Sequence, residues 1–150
     1  MIKVAILDDY QKVALQMADW SGLEGRIEIT VFHDHVADQE QVIARLKDFE
    51  VLCIMRERTV FPRAVLERLP KLKLLITTGM RNASVDVKAA TERGIVVCGT
   101  RGLAHPTPEL AWGLILALMR HLPFEHDAMR RGAWQSTLGR GLKGRMPGLR

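Results

Sequence analysis

The run Leu74-Leu-Ile-Thr-Thr-Gly-Met-Arg-Asn-Ala-Ser-Val-Asp-Val-Lys-Ala-Ala-Thr-Glu-Arg-Gly-Ile-Val-Val97 decides the fold. It opens with a short apolar strand and passes through a polar turn holding Gly79. An amphipathic stretch follows, from about Ser84 or Asp86 to Arg93. Gly94 then supplies the left-handed stop that ends a helix, and Ile95 to Val97 form a second strand. Two strands joined through a helix lie parallel, because parallel neighbours need a crossover connection.

The same unit recurs along the chain. Apolar or β-branched runs stand at Val4 to Leu7, Ile27 to Phe32, Val51 to Ile54, Leu74 to Ile76 and Ile95 to Val97. Helical spacing links them. The first such stretch pairs Val13, Leu15, Met17 and Ala18 with Gln11, Lys12 and Gln16. The second follows the cap Asp38 and turns Val42, Ile43 and Leu46 inward. The third begins at Pro62 and ends at Pro70. The expectation is an α/β, flavodoxin-like, doubly wound parallel sheet of about five strands, followed by a long apolar helix and an extended C-terminal arm. The corresponding division is 1–104 for the sheet domain and 105–150 for helix and arm.

With 150 residues, 47% apolar and 26% charged, the chain can bury one ordinary core. Its net charge of +5 lies in the last thirty-one residues, where seven basic residues meet two acidic ones; Met1 to Met119 hold fifteen of each. Those basic residues alternate with glycine, Trp134 and Leu138 and form no dense run, so nucleic acid is not the expected partner. Leu110 to Met119 is apolar all round but shorter than the roughly 20 residues that span a bilayer, which predicts a buried helix and no membrane. Cys53 and Cys98 sit in separate apolar runs and read as buried reduced thiols. The N-terminus enters a strand at once, without a signal segment, so a cytoplasmic location is expected.

Ligands of such sheets bind beyond the carboxyl ends of the strands. Those ends carry Met55-Arg-Glu-Arg-Thr59, Thr77-Thr-Gly-Met-Arg-Asn82 and Gly99-Thr-Arg-Gly102. Arg56, Arg58 and Arg81 around Gly79 can make an anion site, in which consecutive backbone N–H groups and guanidinium forks share one carboxylate. Solvated loop charges around a plain turn are the other reading of the same residues. His33 and His35 would share one strand face, but without a recognisable carboxylate or third ligand they read as a surface pair and not as a metal site.

The run Thr77 to Val97, followed by Thr107-Pro-Glu-Leu-Ala-Trp-Gly-Leu-Ile-Leu-Ala-Leu-Met-Arg120, resembles the D-isomer-specific 2-hydroxyacid dehydrogenases, in particular their phosphoglycerate dehydrogenase-like branch. Ile6-Leu-Asp-Asp-Tyr10 and Gly132-Ala-Trp134 fit it too. The resemblance implies a substrate-binding domain of an oxidoreductase that moves hydride between NAD(H) or NADP(H) and C2 of a small 2-hydroxy or 2-oxo acid. The acid would be of the 3-phosphoglycerate, glycerate/hydroxypyruvate or glyoxylate type.

It implies that backbone N–H groups around Thr78, Gly79 and Met80, with Arg81 beside them, hold the substrate carboxylate, that Arg56 reaches the far end of the substrate, and that Thr107 lies near the nicotinamide. Asn82 and Asp86 match loop-ordering positions, Asp86 serving equally well as a plain helix cap, and Glu109 faces the dipole of the apolar helix.

The family's glycine-rich cofactor loop is expected after Leu142-Lys-Gly, where the chain instead reads Arg145-Met-Pro-Gly-Leu-Arg150 with Pro147 in place of a strand residue. Its catalytic arginine, acidic partner and histidine are expected further on. The pattern therefore predicts a chain cut short before the nucleotide-binding domain, by a shifted reading frame or otherwise, that binds no cofactor and is inactive alone. Two other readings stand beside it. A receiver module of signalling systems would use Asp8-Asp9, but Cys53-Ile-Met-Arg56 occupies the place of its phosphate-accepting aspartate. A non-catalytic interaction protein would associate as a homodimer, or with a relative, through the 108–134 region.

Overall fold

A computed structural model of the chain describes residues 1–142; Pro147 and the rest of the Lys143–Arg150 tail lie outside the described residues. The chain divides into two compact units, Met1–Gly102 and a second that begins at Leu103.

The first unit is built of β1 (Ile2–Ile6), β2 (Ile27–Val31), α1 (Gln39–Leu46), β3 (Val51–Ile54), α2 (Arg63–Leu66), β4 (Leu74–Thr77), α3 (Val87–Glu92) and β5 (Val96–Gly99). Its sheet has the order β2-β1-β3-β4-β5, every pair parallel. Ile54 pairs with Thr77 and Thr77 with Gly99, so β3, β4 and β5 end level with one another. The three loops that follow them therefore leave the sheet side by side.

Local chemistry sets the helix starts. Asp38 accepts from the Gln41 N–H at 2.9 Å to open α1, and Asp86 accepts from the Ala89 N–H at 2.8 Å to open α3. Gly94, at φ +71, ends α3 as expected. The core lies between one sheet face and these helices, with Phe61, Leu46, Leu52, Leu66, Leu69 and Leu75 fully enclosed.

Four expectations need correction. The amphipathic stretch Gln11 to Ala18 is not an α-helix; it holds only a 3-10 turn at Ala14–Gln16, and a second follows at Ser21–Leu23. The Asp9 carboxylate takes the Val13 and Ala14 N–H groups, each at 3.1 Å, and Lys12 stands at φ +57, which no α-helix accommodates. The thiols are not both buried: Cys53 is half-buried and Cys98 exposed. Both point to the second sheet face, which is less covered, and β5 is its edge strand.

The second unit contains α4 (Pro106–Met119) and α5 (Leu122–Arg130), so residues expected in an extended arm are helical up to Arg130. A left-handed His121 (φ +53) turns the chain between them. The apolar stretch Leu110 to Met119 is helical but not buried; Leu110, Trp112, Leu114 and Leu118 are exposed, and no residue of α4 is enclosed by the described residues. No helix among the described residues is long and apolar enough to cross a membrane.

Burial pushes the Cys53 thiol up from its ordinary value, which keeps it protonated near neutral pH. A thiol reagent should therefore label Cys98 within the mixing time of a conventional assay and Cys53 only on unfolding. Mass mapping of the labelled peptides checks this, and fast labelling of both in the native protein would contradict it.

Candidate functional site

The level ends of β3, β4 and β5 bring the loops 55–59, 78–82 and 100–102 to one edge of the sheet. Between them lies a turn that calls for glycine at its corner. Gly79 has φ +97, and a Cβ built on it would lie 2.8 Å from Arg56 Nη1. The second close approach is at Gly99, where a Cβ would lie 2.6 Å from the Gly79 carbonyl oxygen and 2.9 Å from Met80 Cα. Those neighbours are main chain, so the end of β5 supports the turn directly.

The hydrogen bonds of the turn distinguish its amides. The Thr78 N–H donates to the Ile54 carbonyl at 3.1 Å and continues the sheet ladder. The Gly79 N–H donates to Thr100 Oγ1, also at 3.1 Å. The Met80 N–H has no partner among the described residues. A carboxylate reaching this turn thus meets the Met80 amide directly and shares the Gly79 corner with the Thr100 hydroxyl, which can turn its own hydrogen to the ligand. Thr78 contributes through its hydroxyl, which accepts from the Arg56 N–H at 3.1 Å.

The arginines expected together separate into different roles. Arg56, in the left-handed region at φ +50, lays its guanidinium against Gly79 and has Glu57 at 3.8 Å. Arg81 lines, with Met80 and Asn82 of the same turn, an open cleft of about 370 Å³ bordered by Thr77, Val85, Val97 and Gly99. Arg58 is drawn away from the turn. Its Nη1 donates to the Asp8 carbonyl at 2.9 Å and its guanidinium covers the Tyr10 ring at 4.5 Å. Thr107 stands in the first turn of α4, in the second unit.

Asn82 orders the site. Its side-chain amide donates to the Arg56 carbonyl at 2.6 Å and to Thr77 Oγ1 at 2.8 Å, and its Oδ1 accepts from the Ser84 N–H at 2.9 Å. Asp86, by contrast, is a helix cap. Reading the chain as sequence missed Thr100, a hydroxyl in a loop otherwise noted only for its place, and Gly99, whose need for an absent side chain shows only when β5 meets the turn.

The histidine pair also needs correction, because carboxylates do face it. His35 Nδ1 lies 2.9 Å from Asp8 Oδ1, and His33 Nδ1 bonds the Asp9 carbonyl at 3.0 Å with Asp9 Oδ2 at 3.7 Å. Even so, no cluster of three or more metal-ligating side chains is present among the described residues. Burial acts to raise the Asp9 carboxyl, but the Val13, Ala14 and Lys12 amides and the nearby His33 outweigh it and hold it below its ordinary range.

A dinucleotide needs free N–H groups at a strand-to-helix junction. At α1 the Asp38 carboxylate takes the Gln41 N–H, at α3 the Asp86 carboxylate takes the Ala89 N–H, and Pro106 and Pro108 remove donors from α4. These three helix starts are thus poor cradles for a pyrophosphate.

The site is thus a glycine turn at the carboxyl edge of a parallel α/β sheet, flanked by two exposed guanidinium groups. Residues 4–113 match the family described as D-isomer specific 2-hydroxyacid dehydrogenase, catalytic domain, and the chain belongs to that family. It is 40% identical to a phosphoglycerate oxidoreductase of Vibrio cholerae over 97% of this chain and 47% of that one, with a TM-score of 0.81. It is 28% identical to the D-3-phosphoglycerate dehydrogenase of Methanocaldococcus jannaschii over 95% of this chain and 26% of that protein. With the hydroxypyruvate reductase of Thermotoga maritima the identity is 29%, over 98% of this chain and 47% of that protein. The chain spans about half the length of these relatives or less.

Two tests follow from this geometry. Gly99→Ala should displace the Gly79–Met80 backbone and destabilise the fold by about 1–3 kcal/mol, the usual cost of forcing a methyl into filled space. Chemical denaturation and the amide spectrum of residues 78–82 check it, and an unmoved turn would contradict it. Asp9→Asn should destabilise the protein near neutral pH, because a carboxyl held low in the folded state adds stability above its unfolded pKa and loses it as pH falls through the folded value. Thermal melts should show the deficit narrowing below about pH 4, and a deficit independent of pH would exclude the charge as its cause.

Proposed function

We propose that this chain is the substrate-binding part of an NAD- or NADP-dependent oxidoreductase acting on the CH–OH group of small 2-hydroxy acids. The observation that carries this reading is the turn after β4, where a Met80 amide with no partner among the described residues, the Thr100 hydroxyl and the Arg56 guanidinium stand around Gly79. Membership of the 2-hydroxyacid dehydrogenases supports assigning that turn to the acid's carboxylate. Glyoxylate, hydroxypyruvate or glycerate, and 3-phosphoglycerate all present a carboxylate beside the reacting C2 carbon. Arg56 can form a fork with a second anionic group at the far end, and Arg81 adds longer-range attraction.

Bound cofactor would supply the hydride acceptor or donor. The contribution of this chain is to hold C2 at a fixed place by its carboxylate, a gain in proximity and orientation. A polypeptide of residues 1–150 should bind the acid without reducing it, since the starts of α1, α3 and α4 are poor cradles for a pyrophosphate. Two free thiols support a reducing, cytoplasmic setting.

Titration of the 150-residue chain with glyoxylate should shift the Met80, Gly79 and Thr100 amides with a dissociation constant in the millimolar range, the reach of one carboxylate against the cost of association. Gly79→Val should abolish the effect, because valine is strained at positive φ, and Arg81→Ala should weaken it less. The same sample should leave NADH absorbance unchanged in the presence of hydroxypyruvate. Shifts confined to the basic residues after Arg120, or steady NADH loss above a blank, would overturn the reading.

The exposed apolar face of α4 favours a second copy of the chain as partner. A helix apolar on every side requires cover from both sides, and Leu110, Trp112, Leu114 and Leu118 lack it here. Light scattering at tens of micromolar should report a dimer that Leu114→Glu disrupts. A monomer insensitive to salt would contradict self-association through the 108–134 region.

A further inference from the structure

The acidic pair after β1 takes no part in the glycine turn, yet it is the most heavily bonded carboxylate cluster at that edge of the sheet. Asp8 is buried and stands at φ +58, a left-handed conformation that a residue with a side chain keeps only when its surroundings enforce it. Its Oδ2 accepts from the Thr59 hydroxyl at 2.8 Å, its Oδ1 lies 2.9 Å from His35 Nδ1 and 3.4 Å from the Tyr10 hydroxyl, and its carbonyl accepts from Arg58. Asp9 turns the other way and caps the 3-10 turn that follows. Asp34, beside His35 in sequence, is paired with Arg45 and leaves Asp8 to its own partners.

Arg58 and Thr59 are the last two residues of the 55–59 loop. Its first half is held elsewhere: the Arg56 N–H donates to Thr78 and the Arg56 carbonyl accepts from Asn82. Five residues are thus held at two ends, and Arg56, at φ +50 with its guanidinium on Gly79, stands at the first of them, two residues from Arg58. Without the Asp8 clamp the far end of the loop would keep only the Ser84 hydroxyl on the Glu57 carbonyl and the Arg58 N–H on the Met55 carbonyl, each at 3.3 Å, beside the Thr78 and Asn82 bonds at Arg56. With residues 57–59 loosened, the Arg56 guanidinium could then swing off the turn.

We propose that Asp8 is a positioning residue for Arg56, its carboxylate and carbonyl fixing Thr59 and Arg58 so that the Arg56 guanidinium stays against Gly79 where the acid would bind. The proposal rests on the substrate-site reading only for its effect on affinity; the effect on Arg56 itself is independent of any ligand. His35 holds the remaining Asp8 oxygen and keeps the carboxylate from rotating off Thr59.

The test uses the 150-residue chain with two variants. Asp8→Asn removes the charge while keeping a residue that tolerates the left-handed region, and Thr59→Val removes only the hydroxyl donor at nearly constant volume. Both are also made in an Arg56→Ala background. In the ligand-free protein, nitrogen relaxation of the Arg56 Nε–H should show increased motion in each single variant. Glyoxylate affinity, read at the Met80 amide, should fall about tenfold, as expected when a contacting group loses its fixed position. Added to Arg56→Ala, neither variant should weaken binding further, because both act through that side chain.

A lowered Tm with Arg56 order and glyoxylate affinity unchanged would make Asp8 a stability residue and overturn the proposal, as would effects that add in full to Arg56→Ala. If Asp8→Asn fails to fold, Thr59→Val carries the same measurements. If glyoxylate shifts no amide of the turn in the wild type, the substrate-site reading fails, while the relaxation result still decides whether Asp8 positions Arg56.

Discussion

The contact on which the site depends is the approach of the β5 end to the turn after β4. No side chain fits at Gly99, because the Gly79 carbonyl and Met80 Cα occupy the space its Cβ would need. That contact exists only because β4 and β5 pair in one register, Thr77 against Gly99, and a slip by one residue would present a side chain there. Sheet register and glycine turn are therefore one constraint.

On the proposed reading, a main-chain site of this kind would recognise what all 2-hydroxy acids share. The Met80 amide and the Thr100 hydroxyl would be indifferent to the rest of such a ligand, which would leave discrimination among acids to the groups around the turn, Arg56 and Arg81. Arg56 is held at both its N–H and its carbonyl and would carry the directional contact, whereas Arg81 stands on an open cleft and would contribute mainly charge. The second unit follows different physics. Its apolar helix α4 holds no buried residue, so cover from a partner, and not an internal core, is what would stabilise it.

Much of the frame was legible because it depends on local chemistry. The strand and helix alternation, the Asp38 and Asp86 caps and the glycine turns at Gly79 and Gly94 each follow from a few adjacent residues. What escaped depends on contacts across the chain. Gln11 to Ala18 has helical spacing, but the Asp9 carboxylate captures its first amides. His33 and His35 read as one strand face, but β2 ends at Val31, and their partners Asp9 and Asp8 lie past the end of the neighbouring β1, more than twenty residues away. Arg58 looks like Arg56 in sequence and is diverted by Tyr10 and Asp8. Cys98 reads as buried in an apolar run, but it belongs to an edge strand with one face uncovered. Thr100 and Gly99 could have been suspected from their place after β5, though their roles need the register.

The most direct measurement is a crystal structure of the chain soaked with oxamate, a stable analogue of a 2-oxo acid. The account predicts its carboxylate within hydrogen-bond distance of the Met80 N–H and the Thr100 hydroxyl, with the Arg56 guanidinium over the other end. Oxamate bound in the cleft beside Arg81, or only on the basic segment after Arg120, with the turn empty, would contradict it.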